Sequence, residues 1–256
     1  KKWVRTYEKV WNEGESLLFW LGFIILYVTK PHTKNGENMK TDRKLGNQVK
    51  KYLLEKGVET PIVESDLNID EKIELIEENM EVVIDVLGLD REDDSIAGTA
   101  NRVAKMYVSE LCSGLSYNEF PKVSVFENKM GYDQMVVQKD ITFHSMCEHH
   151  FVNFNGMAQV AYIPNDTVVG LSKLNRIVNF FARRPQVQER LTEQIFYALQ
   201  YILNTDNIAV LVQAEHLCVK SRGIGDQSSG MTTSKLGGFF FDKSSVRSEF
   251  MSLALK

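Results

Sequence analysis

The chain has 256 residues, 43% apolar and 25% charged, a composition that suits a globular protein with a sizeable core in one domain or two. Its 30 basic and 34 acidic side chains leave a net charge of −4, so no global basic field points to nucleic acid, and an anionic ligand must meet a local positive cluster. Three cysteines, an odd number, fit a reducing cytoplasm better than a disulfide framework.

In chain order, the first feature is an apolar run at residues 17–28. A membrane span needs about twenty such residues. No small-residue cleavage site follows, because Thr29-Lys30-Pro31-His32 comes next. Residues 1–38 therefore read as an extension outside the functional fold: upstream or cloning-derived sequence first, then a buried or partner-binding helix, and a membrane anchor last. Polar, helix-forming sequence begins at Met39. Residues 40–57 are predicted as a helix stopped by Gly57, and 70–87 as a stronger one. In the second, Ile73, Ile76, Met80, Val83 and Leu87 recur at helical spacing, Asp70 and Glu71 open it, and Gly88 follows its end. Thr99 is placed as the N-cap of a third helix, with Val103, Met106, Tyr107 and Leu111 facing inward.

The pattern changes near Pro121. Residues 122–126, 135–142 and 158–163 alternate or run apolar as strands do, the last closed by Pro164-Asn165-Asp166. Residues 172–203 read as a helix pair broken at Pro185, which is placed in the first turn of the second helix. Val187, Leu191, Ile195, Leu199 and Ile202 mark that helix's buried face. A β-prone run at 208–214 leads into His216 and Cys218, residues 232–241 form a further strand, and a short helix ends the chain. A helical region, 39–120, thus precedes an α+β region, 121–256.

Two short segments, Cys147-Glu148-His149-His150 and His216-Leu217-Cys218, hold two of the three cysteines and three of the five histidines. Thiolate and imidazole suit zinc, and three protein ligands leave a fourth position for water. A spacing of three brings Cys147 and His150 to one ion in a turn, with His149 pointing elsewhere. Along an extended 216–218 segment, alternate residues share a face, so His216 and Cys218 both meet the site. A disulfide between Cys147 and Cys218, or two merely buried cysteines, are the weaker readings, and Cys112 reads as core. Basic residues gather between and after these segments: Lys173, Arg176, Arg183, Arg184, Arg190, Lys220 and Arg222. Lys173 and Arg176 are helical neighbours, and Ser172 is placed to cap their helix, which suits phosphate. On charge alone, an ordinary solvated helix face explains the same cluster. Gln188-Glu189 has the groups to read the donor edge of guanine, and equally those of a surface helix.

Six segments occur in a fixed order over residues 40–255. They are Arg102-Val-Ala-Lys-Met-Tyr, Cys147-Glu-His-His, Gly170-Leu-Ser-Lys-Leu-Asn-Arg176, Arg184-Pro-Gln-Val-Gln-Glu-Arg190, His216-Leu-Cys-Val-Lys-Ser-Arg-Gly223 and Thr232-Thr-Ser-Lys-Leu-Gly-Gly238. This set resembles GTP cyclohydrolase I, particularly the bacterial type, and outweighs the surface readings of the basic cluster and of Gln188-Glu189. The resemblance implies an α+β tunnelling fold, a four-stranded antiparallel sheet backed by two helices, after a helical N-terminal region. It implies a cytoplasmic homodecamer of two pentamers with active sites between subunits. It also implies zinc-dependent conversion of GTP and water to formate and 7,8-dihydroneopterin triphosphate, the entry to tetrahydrofolate and other pterins.

Carried over residue by residue, Cys147, His150 and Cys218 match the zinc ligands, and His149 and His216 the proton-transfer histidines. Gln188 and Glu189 match the guanine-binding pair. Ser172, Lys173, Arg176, Arg222 and Arg102 match residues around the ribose and triphosphate, with Ser172 a participant in proton traffic. One departure is Thr99-Ala100-Asn101-Arg102, where the family usually has Thr-Pro; local rigidity is lost, not activity. The rival readings are another tunnelling-fold enzyme acting on a purine or pterin, such as the nitrile reductase of queuosine synthesis, and a non-catalytic zinc-binding or assembly protein.

Overall fold

The computed structural model of the protein describes residues 40–255. The apolar run at 17–28 lies outside the described residues. Among those described, no helix is long and apolar enough to cross a membrane.

Three helices open the described part of the chain. Helix α1, Arg43–Glu55, starts where the Asp42 carboxylate accepts from the Leu45 N–H at 3.0 Å. It buries Gly46, Val49 and Leu53. Helix α2, Ile69–Val86, opens on a capping box: Asn68 and Glu71 each accept from the other's backbone N–H. The period-3.6 stripe made the helix legible, but its apolar face is barely covered in this chain. Only Ile84 is buried, while Val83 and Leu87 are 47% and 69% exposed. Helix α3, Thr99–Lys105, corrects the predicted cap. Gly98 is the N-cap, at φ +75°, and no side chain caps it. The Thr99 hydroxyl instead accepts from Arg102 at 2.8 Å. Helix α3 runs on through one π-helical turn, Met106–Leu111, so the expected inner residues beyond Val103 leave the α-helical register.

Four long antiparallel strands follow in the sheet order β2, β3, β6, β7: Val136–Cys147, Asn153–Tyr162, Ile208–His216 and Met231–Leu236. A two-residue strand β5, Pro185–Gln186, adds to the far end of β2 in parallel, pairing Met146 with Pro185 and Cys147 with Gln186. Strands β1, Val125–Glu127, and β4, Thr167–Val169, form a separate ribbon. Two strand predictions shift here. The expected strand at 122–126 is ordered only from Val125. The expected strand at 232–241 stops at Leu236, because Gly238, at φ +50°, turns the chain into the short helix α7, Phe239–Asp242. Helix α8, Ser244–Ala254, ends the described chain.

Between β4 and β6 run α4, Leu171–Ala182, and α5, Gln188–Leu203. Pro185 was expected inside α5 but sits in β5, at the sheet edge, where its missing N–H removes no ladder bond. Strand residues of one parity face these helices. Phe143, Phe154, Ala158, Val160, Val210 and Val212 pack with Leu174, Ile177, Val178, Leu191, Ile195 and Leu199. Val49 and Leu53 of α1 belong to the same core. The other sheet face carries a smaller cluster, Ala161, Ala209 and Leu211 under Phe240 and Phe250.

A buried cation ties the helical region to this core. Arg184 is fully buried and was expected in a basic cluster; it is a structural clasp instead. Its guanidinium donates to Glu59 at 3.0 Å, to the Thr60 hydroxyl at 3.3 Å and to the Gly114 carbonyl, and it lies against the rings of Tyr117, Phe180 and Phe181. Gly114 is required there, since a Cβ would fall 2.0 Å from the Phe180 carbonyl oxygen. Breaking one partner of such a pair leaves an uncompensated buried charge. Glu59→Ala should therefore lower the unfolding free energy by about 3–5 kcal/mol, read from the urea midpoint at unchanged m-value. A loss below about 1 kcal/mol, the size of a surface pair, would contradict the clasp.

Candidate active site

Strand β2 delivers Cys147 to the end of the sheet, and the chain turns at once. Cys147 donates its N–H to the Val152 carbonyl at 2.9 Å, and Phe151 donates back to the Cys147 carbonyl at 2.9 Å. Phe151 closes this turn at φ +54°, an uncommon conformation for a bulky residue. Within the turn, Cys147 is buried while His149 and His150 are exposed. Strand β6 ends at His216, and one helical turn, α6, Leu217–Lys220, carries Cys218 to the same place. The expectation of an extended 216–218 segment is corrected. The two residues reach the site by different elements, not by strand alternation.

The ligand atoms of Cys147, His150 and Cys218 all lie within 4.8 Å of one another. A tetrahedral zinc ion needs ligand separations of roughly 3.5–3.8 Å, so small side-chain rotations close the set. Burial pushes the Cys218 thiol up, the neighbouring Cys147 adds to that, and the Arg222 guanidinium opposes it. A thiol shifted this way beside a second cysteine suits a divalent cation, which binds the deprotonated sulfur. His149 does not point clear of the cluster as expected: its Nδ1 is 3.7 Å from the Cys147 sulfur, against 4.0 Å for Nδ1 of His150. It is nonetheless outside the three-membered group.

His216 is held on two sides. Its ring stacks on Phe154, its register partner on β3, with centroids 4.6 Å apart and planes parallel within 1°. Its Nε2 is 2.8 Å from Oε1 of Gln188. The Gln188 amide nitrogen already donates to the carbonyls of Val212 and Met231 and lies 3.2 Å from the Thr233 hydroxyl. The amide oxygen must therefore accept, and Nε2 of His216 carries the hydrogen. Nδ1 is then the nitrogen that exchanges a proton. Burial pushes the His216 pKa below its usual value, and the Glu189 carboxylate opposes that shift.

Gln188 is almost fully buried, whereas Glu189 beside it is exposed in the first turn of α5. Val187, the N-cap, has no side-chain oxygen, so the first N–H groups of α5 lack a side-chain cap. Ser172 does not cap α4 as expected, since Gly170 is the N-cap; Ser172 and Arg176 are exposed and Lys173 is half-buried on the first turns. The basic cluster divides. Arg184 is buried, Arg183 donates to the Glu110 carbonyl, Arg190 pairs with Glu148 and Lys220 with Glu215. Arg102 is folded onto its own helix start, donating to Ala97 and Thr99.

A sequence model described as GTP cyclohydrolase I matches residues 76–255, well over half of the chain. The chain belongs to the GTP cyclohydrolase I family. Three bacterial proteins, each named GTP cyclohydrolase 1, show how closely family members agree with it. That of Tolumonas auensis is 56% identical over 206 residues, covering 80% of this chain and 95% of its own. Those of Aeromonas salmonicida and Yersinia enterocolitica are each 54% identical over 203 residues, covering 79% of this chain and 93% and 92% of theirs.

Within this GTP cyclohydrolase I chain, two site residues escaped sequence reasoning. Phe154 could have been found only from the β3–β6 register. Glu148 was visible inside the cysteine–histidine motif, but nothing in the sequence named Arg190 as its partner. Cys112, expected in the core, is half-buried, and burial pushes its thiol up to about 11, which disfavours the thiolate near neutral pH. Alanine at Cys147, His150 or Cys218 should each reduce bound metal, measured by elemental analysis after dialysis, to a small fraction of one ion per chain. Alanine at His149 should leave it near one; loss of metal there would move His149 into the ligand set.

Proposed function

We propose that this site hydrolyses GTP at C8 of the guanine, releasing formate and leading to 7,8-dihydroneopterin triphosphate, the entry to tetrahydrofolate and related pterins. The observation that carries it is the convergence of Cys147, His150 and Cys218 beside two further histidines and the uncapped start of α5. Two thiolates and one imidazole suit zinc. Zinc, when bound there, supplies a water acidic enough to be a nucleophile near neutral pH. Thiolates leave the ion a gentle Lewis acid, so the histidines carry more of the proton transfer.

Glu189 accepts from N1–H and the 2-amino group of guanine. The amide of Gln188 is committed to β6, β7 and His216, so its share in the base pocket falls to the main-chain N–H groups that open α5. As water adds to C8, electron density moves onto N7. Nδ1 of His216 delivers a proton there, while Gln188 holds Nε2. His149 relays protons as the ring opens and formate leaves, and Ser172 serves the rearrangement of the ribose. Lys173, Arg176, Arg222 and Arg102 hold the ribose and triphosphate; their contribution is positioning.

The antiparallel four-stranded sheet backed by α4 and α5 supports the tunnelling fold. The exposed apolar residues Val82, Val83 and Val86 of α2, with Leu87 just after it, support self-association into a decamer of two pentamers with sites between subunits. Three free cysteines accord with a cytoplasmic protein. Purified, zinc-loaded protein should release one formate per GTP. His216→Ala should keep its metal and lose about 10²–10⁴-fold in formate release. Unchanged GTP with the wild-type protein would overturn the activity. Glu189→Ala should lose about tenfold or more in kcat/KM for GTP, and an unaltered kcat/KM would remove it from the base pocket.

A further inference from the structure

Glu148 lies between a metal ligand and a proton-transfer histidine, yet its carboxylate is in neither set. Its N–H donates to the Gln186 carbonyl at 3.0 Å, extending the β2–β5 pairing by one bond. Its two carboxylate oxygens meet the two terminal nitrogens of Arg190, at 2.5 and 3.3 Å. Arg190 is the third residue of α5 and follows Glu189 directly. The pair therefore spans the two halves of the site. One end is the turn that carries Cys147, His149 and His150. The other is the helix start that carries Gln188 and Glu189.

We propose that Glu148 and Arg190 are positioning residues that set the distance and angle between the metal turn and the base-holding carboxylate. Three features favour this over a surface ornament. The contact is two-pronged, and a guanidinium–carboxylate fork fixes orientation as well as distance. Both side chains are about three-quarters buried, at 21% and 26% exposure. The turn is exposed at His149 and His150; its backbone bonds and the Phe151–Tyr107 ring contact close it locally, and the Glu148 carboxylate is what joins it to the start of α5. Arg190 also keeps the Glu148 carboxylate from competing for the ion beside Cys147. Water still reaches about a fifth to a quarter of each side chain, so the pair's share of folding stability is small beside its effect on the site.

This inference rests on the reading of the site as metal-dependent, and its test separates the two. Glu148→Gln, Arg190→Ala, Arg190→Lys and the double variant Glu148→Gln/Arg190→Ala are compared with wild type as full-length, metal-loaded proteins. Melting temperature, the rate of zinc transfer to a chromogenic chelator, and kcat and KM for formate release from GTP are measured. Each alanine or glutamine variant should melt as wild type does, lose zinc about tenfold faster and lose about tenfold in kcat at saturating metal. Arg190→Lys, with one prong, should fall between. The double variant should be no worse than the worse single one, as for two ends of one contact. Multiplied losses in the double variant would overturn the proposal, as would unchanged zinc transfer and kcat in the singles. A wild-type protein that binds zinc but releases no formate would defeat the functional reading alone, and the zinc-transfer cycle would still decide for or against the pair.

Discussion

A two-residue parallel bridge, Met146–Cys147 against Pro185–Gln186, places the metal turn next to the start of α5. Cys147 ends β2, and Gln186 lies two residues before Gln188. Register alone therefore puts the first candidate metal ligand beside the segment proposed to hold the base. What fixes β5 lies further out. The Gln186 amide donates to the Phe181 carbonyl and to Gln194, and Gln194 donates to Val58 and Thr60. Thr60 and Glu59 in turn hold the guanidinium of Arg184, the residue before β5. The helical region thus acts as a brace for the bend from which the site is built.

The same network decides which charges are left for an anionic substrate. Of the seven basic residues gathered here in the sequence, the four that the family resemblance did not assign to substrate have partners within the chain, and Arg184 among these is wholly buried. Lys173 and Arg176 on α4 and Arg222 after α6 are the ones left for the proposed triphosphate contacts. Arg222 already acts electrostatically on Cys218. Gln188 shows the same sorting for a neutral side chain. Its buried amide is occupied on every prong, so its clearest effect is on the tautomer of His216.

Much of the fold was legible because its helices and strands carry strong periods. The stripes of α2 and α5 and the β-prone run at 208–214 needed no tertiary context. The misreadings fall where tertiary pairing overrides a local rule. Pro185 is a good helix opener, but the sheet edge took it. Thr99 is a good cap, but a left-handed Gly98 turns the chain one residue earlier. Residues 216–218 alternate like a strand, yet the last ladder bond of β6 ends at His216 and the chain coils. The chemistry of the candidate site was legible as residue types at fixed spacings. Its partners were not: Glu148 with Arg190 and His216 with Phe154 and Gln188 are contacts over tens of residues that no local pattern encodes.

The geometry of the turn and of α6 points to a metal held by two sulfurs and a single imidazole, with His149 adjacent but unbound. X-ray absorption at the zinc edge of the loaded protein measures this directly. Two sulfur neighbours near ~2.3 Å with one imidazole and one non-protein light atom near ~2.0–2.1 Å are expected. Two sulfurs with two imidazoles would place His149 on the ion, close the open position and contradict the division of roles between the two histidines.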